Sequence, residues 1–153
     1  GKGVIYAMDK YKHKLKLMET QVKRAGIDNI RLLCNDSRQP IAELRGRMNR
    51  VLADVPCSGL GVIRRKPEIK YKGSQDLSEL IDTQQQILRA AAEYVSDGGI
   101  LVYSTCTINP YENEKQIEKF LRGNGNFKAL EQKQLLPDGG TDGFFICRMR
   151  KEQ

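Results

Sequence analysis

The sequence predicts an α/β fold in which a mostly parallel sheet is covered by helices on both faces. Short apolar runs alternate along the chain with amphipathic stretches of helical periodicity. The apolar runs are nearly continuous, which is typical of strands buried on both faces of a parallel sheet. The length of 153 residues suits a single domain, so we expect residues 1–153 to form one.

Three apolar runs in the first half of the chain are predicted to be buried strands: Val4–Met8, Ile30–Cys34 and Arg50–Asp54. A helix is predicted over 12–25, where apolar residues recur at helical spacing before Gly26, a residue that commonly ends helices. A second, shorter helix is predicted over 41–48. Strand and helix therefore alternate from the beginning of the chain.

The second half continues the alternation after a loop over 59–75, which holds four glycine or proline residues and five basic ones. One long helix is predicted over 77–96, with Gly98 as its stop, and another from Pro110 onward, with Ile117, Phe120 and Leu121 as its apolar stripe. The predicted strands of this half are Ile100–Ser104, Phe127–Leu130 and Gly143–Met149.

The charge is concentrated in the first half of the chain. Residues 1–75 carry 17 basic and 7 acidic side chains, whereas residues 76–153 carry 9 basic and 12 acidic ones. A basic region of this kind favours a polyanionic partner, with nucleic acid as the leading candidate, although a solvated lysine-rich surface would show the same pattern. No apolar run approaches the roughly 18 residues that would span a membrane, so no membrane partner is predicted.

The four cysteines are spaced too widely for a zinc site. They are Cys34, Cys57, Cys106 and Cys147, no two of them form a C-x-x-C pair, and the chain has one histidine. We therefore predict no metal. Without a secretory signal the thiols are expected to be free, as in the reducing cytoplasm.

Polar or reactive residues follow four of the predicted strands. Asp9, Asp36 and Asp54 come at or just after three strand ends, and Thr105 and Cys106 follow a fourth. Parallel α/β sheets bind ligands at the carboxyl ends of their strands, so these residues predict one site. Each aspartate has a simpler alternative, because a strand-end carboxylate also caps a helix or shapes a turn.

Two cysteines belong to this group of strand-end residues. Cys57 lies in D-V-P-C-S-G-L-G, residues 54–61, and Cys106 lies in Y-S-T-C-T, residues 103–107. Either cysteine alone is more often a small buried packing residue. Their joint position at the ends of two strands favours a site with two thiols, but the residues alone do not decide which thiol would attack a substrate.

These two segments resemble the motifs of the Sun (Fmu) family of S-adenosylmethionine-dependent RNA cytosine-5 methyltransferases. The resemblance extends to N-P-Y-E-N-E at 109–114 and D-G-F-F at 142–145, so it covers nearly the whole chain in order. It implies a Rossmann-like class I methyltransferase fold. It also implies that the family's first strand and glycine-rich loop lie upstream of this chain, which would then be an N-terminally truncated catalytic domain whose own activity is open.

The resemblance also implies roles for individual residues. Cys106 would be the nucleophile and Cys57 would assist release of the product. Asp9 and Asp36 would hold the ribose and adenine of S-adenosylmethionine, while Asp54 would lie near both cofactor and target base. The implied substrate is RNA, with small-subunit ribosomal RNA favoured and transfer RNA as the alternative.

The basic residues of the predicted loop are candidates for binding RNA phosphates beside the Cys57 turn: Arg64, Arg65, Lys66, Lys70 and Lys72. A solvated basic loop is the alternative. Two other functions remain open on the sequence. A Rossmann-like module could bind RNA without turnover, and a nicotinamide-dependent oxidoreductase would share the fold but leave both cysteine motifs unexplained. The oligomeric state is left open.

Overall fold

The structure is a computed structural model in which residues 3–71, 76–138 and 140–153 are described. It divides into two compact units, Gly1–Gln39 and Pro40–Gln153. Each unit is built around its own hydrogen-bonded sheet. That all 153 residues form one catalytic domain stays a prediction.

The first unit is a strand, a helix and a second strand. Strand β1 (Ile5–Asp9) pairs in parallel with β2 (Ile30–Cys34), and helix α1 (Lys12–Arg24) connects them. Gly26 follows the helix with a φ of 63°, a left-handed conformation that glycine adopts without strain, so the predicted stop is confirmed. The register places Asp9 opposite Cys34, and both strands therefore end at the same edge.

The second unit contains a four-stranded sheet in the order β3-β4-β6-β5. Its strands are β3 (Met48–Asp54), β4 (Val95–Thr105), β5 (Phe127–Leu135) and β6 (Phe144–Lys151). Strands β3 and β4 are parallel, whereas β6 runs antiparallel to both β4 and β5. The connection from β5 to β6 is too short for the crossover of a dozen or more residues that a parallel pair requires.

Helices α2 (Asp76–Tyr94) and α3 (Glu114–Gly123) supply the apolar side chains that complete the core of this unit. The predicted stripe of α3 is confirmed, since Ile117 and Phe120 are buried and Leu121 packs against them. Alternate residues of the strands are buried in the same cluster: Leu101, Tyr103, Phe145, Cys147 and Met149. The intervening residues of β6 are exposed.

One predicted helix and two predicted helix boundaries are wrong. The helix expected over 41–48 is a single 3₁₀ turn, Ala42–Leu44, because Gly46 takes a φ of 66° and β3 begins soon after it. Gly98 does not stop α2; it lies inside β4, whose first residue is Val95. Helix α3 begins four residues after Pro110, because residues 109–113 form turns bonded through the N–H groups of Glu112 and Asn113.

The loop predicted over 59–75 contains two short 3₁₀ turns, Leu60–Val62 and Pro67–Tyr71. Lys72 lies outside the described residues, as does the side chain of Lys70. Among the helices in the described part of the chain, none combines the length and the apolar character that crossing a membrane would require.

Candidate active site

The two cysteine turns follow neighbouring parallel strands. The register of β3 with β4 sets Asp54 opposite Ser104, so the chain leaves both strands at the same level of the sheet. The N–H of Val55 donates to the carbonyl of Ser104 and extends the pairing by one bond. Cys57 and Cys106 come shortly after these positions, so they lie close together at the same end of the β3–β4 pair.

The two sulfur atoms are in contact. Sγ of Cys57 lies 3.1 Å from Sγ of Cys106, and the backbone N–H of Cys106 donates to Sγ of Cys57 at 3.3 Å. Both cysteines are free thiols and are partly buried. The strand-end argument thus predicted the meeting of two thiols that stand 49 residues apart in the chain.

Burial strongly disfavours ionisation of one of these thiols. It raises the pKa of the Cys57 thiol to about 12, and the adjoining Cys106 sulfur acts in the same direction. Burial also raises the pKa of the Cys147 thiol, in the core, to about 11. Cys57 is consequently held as a neutral thiol at physiological pH, with a proton that it can donate to its neighbour.

The raised pKa predicts a distinct alkylation profile. Because the thiolate is the form that reacts, only on the order of one Cys57 side chain in 10⁴ is reactive at pH 8. Iodoacetamide at pH 7–9 should therefore modify exposed Cys34 and leave Cys57 and Cys147 intact, as read by peptide mass spectrometry. Modification of Cys57 as fast as that of Cys34 would contradict this account.

Asp54 lies at the exposed rim of the site. Its Oδ1 accepts a hydrogen bond from Oγ of Ser104 at 2.9 Å, which fixes the carboxylate across the β3–β4 pair. Asp54 is exposed, so its carboxylate can also accept a further donor. Asp54 therefore lies at the end of the strand pair that leads to the two cysteine turns.

Asp9 and Asp36 lie together at the carboxyl end of the parallel pair in the first unit. Asp9 accepts the N–H of Tyr11 through Oδ1 at 2.8 Å, which forms a local turn before α1 and not a helix cap, while Lys14 lies 3.6 Å from Oδ2. Asp36 is bound by Arg38, whose Nη2 is 2.6 Å from Oδ2, and this side-chain hydrogen bond lowers the pKa of Asp36 to about 2.

Two arginines of the loop predicted over 59–75 form ion pairs with another segment of the chain. Nε of Arg65 lies 2.7 Å from Oδ2 of Asp142, and Arg64 reaches the same carboxylate at 3.8 Å and the carbonyl of Thr141 at 3.4 Å. Asp142 is largely buried, whereas both arginines and Lys66 are exposed. The arginines therefore anchor the loop while keeping exposed surface, a role that the sequence did not indicate.

A buried carboxylate bonded to the residue after Cys57 was also missed by sequence reasoning. Glu112, which has no exposed surface, accepts hydrogen bonds from the N–H and the hydroxyl of Ser58 at 2.8 and 2.6 Å. It also accepts from Nε2 of Gln84 at 2.9 Å and Nδ2 of Asn109 at 3.1 Å. Its position within N-P-Y-E-N-E was the available signal, but its partners come from three separate segments.

Comparison with known proteins assigns the chain to a family. The family model for the 16S rRNA methyltransferases RsmB/F matches residues 1–150. The chain belongs to this family. The resemblance to Sun proteins that was drawn from the two cysteine motifs is thereby confirmed.

The chain is 40% identical to the "Probable ribosomal RNA small subunit methyltransferase B" of Bacillus subtilis strain 168, over 99% of this chain and 38% of that protein. The solved structure of PH0851 is 33% identical with a TM-score of 0.93, over 98% of this chain and 37% of that one. NSun6 from Pyrococcus horikoshii, solved with SFG, is 30% identical with a TM-score of 0.81, and the match covers 99% of this chain and 42% of that one.

These similarities confirm the Rossmann-like methyltransferase fold that the motifs of the RsmB/F family implied. The chain spans about 38% of the length of the curated relative from Bacillus subtilis. Within the described part of the chain, no three His, Cys, Asp or Glu side chains are grouped so as to hold a metal ion.

Proposed function

We propose that this chain supplies the two-thiol site of an RNA cytosine-5 methyltransferase that uses S-adenosylmethionine and acts on ribosomal RNA. The observation that carries the proposal is the 3.1 Å contact between the sulfur atoms of Cys57 and Cys106. Two thiols in contact can divide the covalent and proton-transfer parts of one reaction. The names of the family and of its relative from Bacillus subtilis, which specify ribosomal RNA, support the substrate class.

Cys106 is the proposed nucleophile. Carbon 5 of cytosine is a weak nucleophile, and addition of a thiolate to carbon 6 makes it electron-rich enough to attack an electrophilic methyl group. This is covalent catalysis, in which one difficult step is divided into easier ones. Cys106 directly follows β4 and is only partly buried, so part of its surface is accessible.

Cys57 is the proposed proton carrier for release of the product. Release breaks the bond between Cys106 and carbon 6 and removes the proton from carbon 5. The neutral thiol of Cys57 gives its proton to the departing Cys106 sulfur, and the Cys57 thiolate so formed takes the proton from carbon 5. The high pKa of Cys57 makes that thiolate a strong base. Cys106 gives its own proton to solvent when it becomes the attacking thiolate, so both sulfurs end the cycle as thiols and one proton is released overall.

When bound, S-adenosylmethionine supplies the methyl group on its sulfonium sulfur. The residues of the first unit fit its nucleoside. Oδ2 of Asp9 keeps lone pairs for ribose hydroxyls, and Arg38 keeps Asp36 ionised as an acceptor for an adenine amino group. Both carboxylates lie at the same edge of the β1–β2 pair, which is where α/β sheets bind their ligands.

The RNA has to present an unstacked cytosine, which costs least in a single-stranded or looped segment. Exposed cations of the loop that follows the Cys57 turn, Lys66 among them, are the proposed partners of the neighbouring phosphates. Asp54 at the rim is the proposed acceptor for the exocyclic amino group of the base, which is a hydrogen-bond donor.

The test is methyl transfer by a protein that carries this chain. The protein is incubated with deuterated-methyl S-adenosylmethionine and either unmodified small-subunit ribosomal RNA or a transfer RNA, and the RNA is digested to nucleosides for mass spectrometry. Labelled 5-methylcytidine from the ribosomal RNA is expected. Label on another nucleoside, or RNA binding without transfer, would contradict the proposal, and label in transfer RNA alone would reassign the substrate.

A further inference from the structure

Glu112 is bonded to the residues that directly follow both cysteines. Ser58 follows Cys57 and gives Glu112 two hydrogen bonds, one from its backbone N–H and one from its hydroxyl. Thr107 follows Cys106, and its hydroxyl lies 2.8 Å from that of Ser58 and 3.4 Å from Oε2 of Glu112. Because the Ser58 hydroxyl donates to Glu112, the hydroxyl proton of Thr107 is shared between the Ser58 oxygen and Oε2 of Glu112.

The same carboxylate reaches the residue before Cys57 through one more side chain. Nε2 of Gln84 donates to Oε1 of Glu112 and to the carbonyl of Pro56, each at 2.9 Å. The backbone of Glu112 is fixed as well, since the hydroxyl of Tyr103 donates to its carbonyl at 2.7 Å. The Cys57 turn is thus held on both sides by contacts that converge on Glu112.

The hydrogen-bond partners of the Glu112 carboxyl group are neutral donors. Glu112 takes part in none of the ion pairs found among the described residues. Burying a carboxylate costs several kcal/mol unless hydrogen bonds satisfy it, and hydrogen bonds to a charged group are stronger than those to a neutral one. Both oxygens of a carboxylate accept hydrogen bonds. In a glutamine, one of these oxygens is replaced by an NH₂ group, which cannot accept a hydrogen bond from the donor that faces it.

We infer that Glu112 is a positioning residue, which holds the turns after Cys57 and Cys106 together and so maintains the contact between the two thiols. The inference rests on the proposed function for its biological purpose, because proton exchange between the sulfurs requires that contact. The geometry itself is independent of the reaction, and it can be measured without any methyl transfer.

The measurement is capture of the thiol pair by phenylarsine oxide. This reagent forms two arsenic–sulfur bonds and releases its oxygen as water with both thiol protons, so it binds tightly only where two thiols lie close together. The chain is compared with its Glu112→Gln variant and with Glu118→Gln, a control on α3 whose exposed carboxylate pairs with Lys115. Circular dichroism establishes that each variant is folded.

The wild-type chain and Glu118→Gln are expected to bind one arsenical across Cys57 and Cys106. Glu112→Gln should bind it about 10- to 100-fold more weakly, the loss expected from one charge-assisted hydrogen bond. Alkylation of Cys106 by iodoacetamide should keep its wild-type rate, because a single thiol does not require the pair. If Glu112→Gln fails to fold, Ser58→Ala replaces it and should also weaken capture, since it removes the hydroxyl link.

Wild-type affinity in the folded Glu112→Gln variant would overturn the inference, and so would equal losses of arsenical capture and Cys106 alkylation. Capture that depends on Glu112 in a protein that makes no 5-methylcytidine would refute the proposed function and leave the positioning role standing. A wild-type chain that captures no arsenical would refute the thiol contact itself.

Discussion

Replacement of Cys57 by alanine, in a protein that carries this chain, is expected to leave the protein covalently attached to its RNA. Cys106 can still add to carbon 6, but the proton that releases it is no longer supplied from 3.1 Å away. Loss of a general acid or base commonly lowers turnover by about 10²–10⁴-fold. The adduct is detected as a protein of reduced mobility on a denaturing gel with labelled RNA.

The paired variant Cys106→Ala is expected to form neither adduct nor methylated product, since the attacking atom is absent. Cys34→Ala is the matched control, because Cys34 is exposed in the first unit and no step of the reaction has been assigned to it. It should behave as the wild type. Adduct in Cys106→Ala together with none in Cys57→Ala would reverse the roles of the two thiols.

Replacement of Gly61 by alanine is expected to destabilise the fold around the site. A Cβ at this position would lie 2.1 Å from the carbonyl oxygen of Gly143 and 2.9 Å from that of Cys106, and both are backbone atoms that cannot move aside cheaply. Gly61 also donates to Cys106 and accepts from Gly143, so a shift would break both bonds. Overpacking of this kind costs about 1–3 kcal/mol or more.

The control for this substitution is Gly123→Ala at the end of α3, where a Cβ would meet no atom within 4 Å. It is expected to leave the free energy of unfolding unchanged or to raise it by up to about 1 kcal/mol, since alanine favours the helix. Urea denaturation of both variants gives the comparison. Equal stabilities for Gly61→Ala and Gly123→Ala would contradict the packing described around Gly61.

The elements that the sequence predicted well are those governed by local pattern. Strand β2 has its predicted bounds, α1 ends one residue from its predicted end, and the apolar stripe of α3 is buried as expected. The meeting of Cys57 with Cys106 was also accessible, because it follows from placing two consecutive strands of the unit side by side in parallel. The local periodicity of apolar residues and the adjacency of consecutive strands were sufficient to predict these features.

Features that depend on distant partners could not be predicted. Glu112 is separated from Ser58 by 54 residues and from Gln84 by 28. Nothing in the local sequence of a turn indicates that its glutamate is buried. The attachment of Arg65 to Asp142 likewise arises from chain segments that meet only in the folded unit. The start of α3 was misplaced because the turns of residues 109–113 bring Glu112 into its network and so delay the helix.

The central claim, that Cys106 attacks and Cys57 returns the proton, is tested most directly by locating the trapped nucleotide. RNA containing 5-fluorocytidine has no proton on carbon 5, so the adduct cannot be released. Trypsin separates the two cysteines, because Cys106 lies in a peptide of residues 90–115 and Cys57 in one of residues 51–64. After nuclease digestion, the added nucleotide mass is expected on peptide 90–115, and its presence on peptide 51–64 would contradict the assignment of Cys106 as the nucleophile.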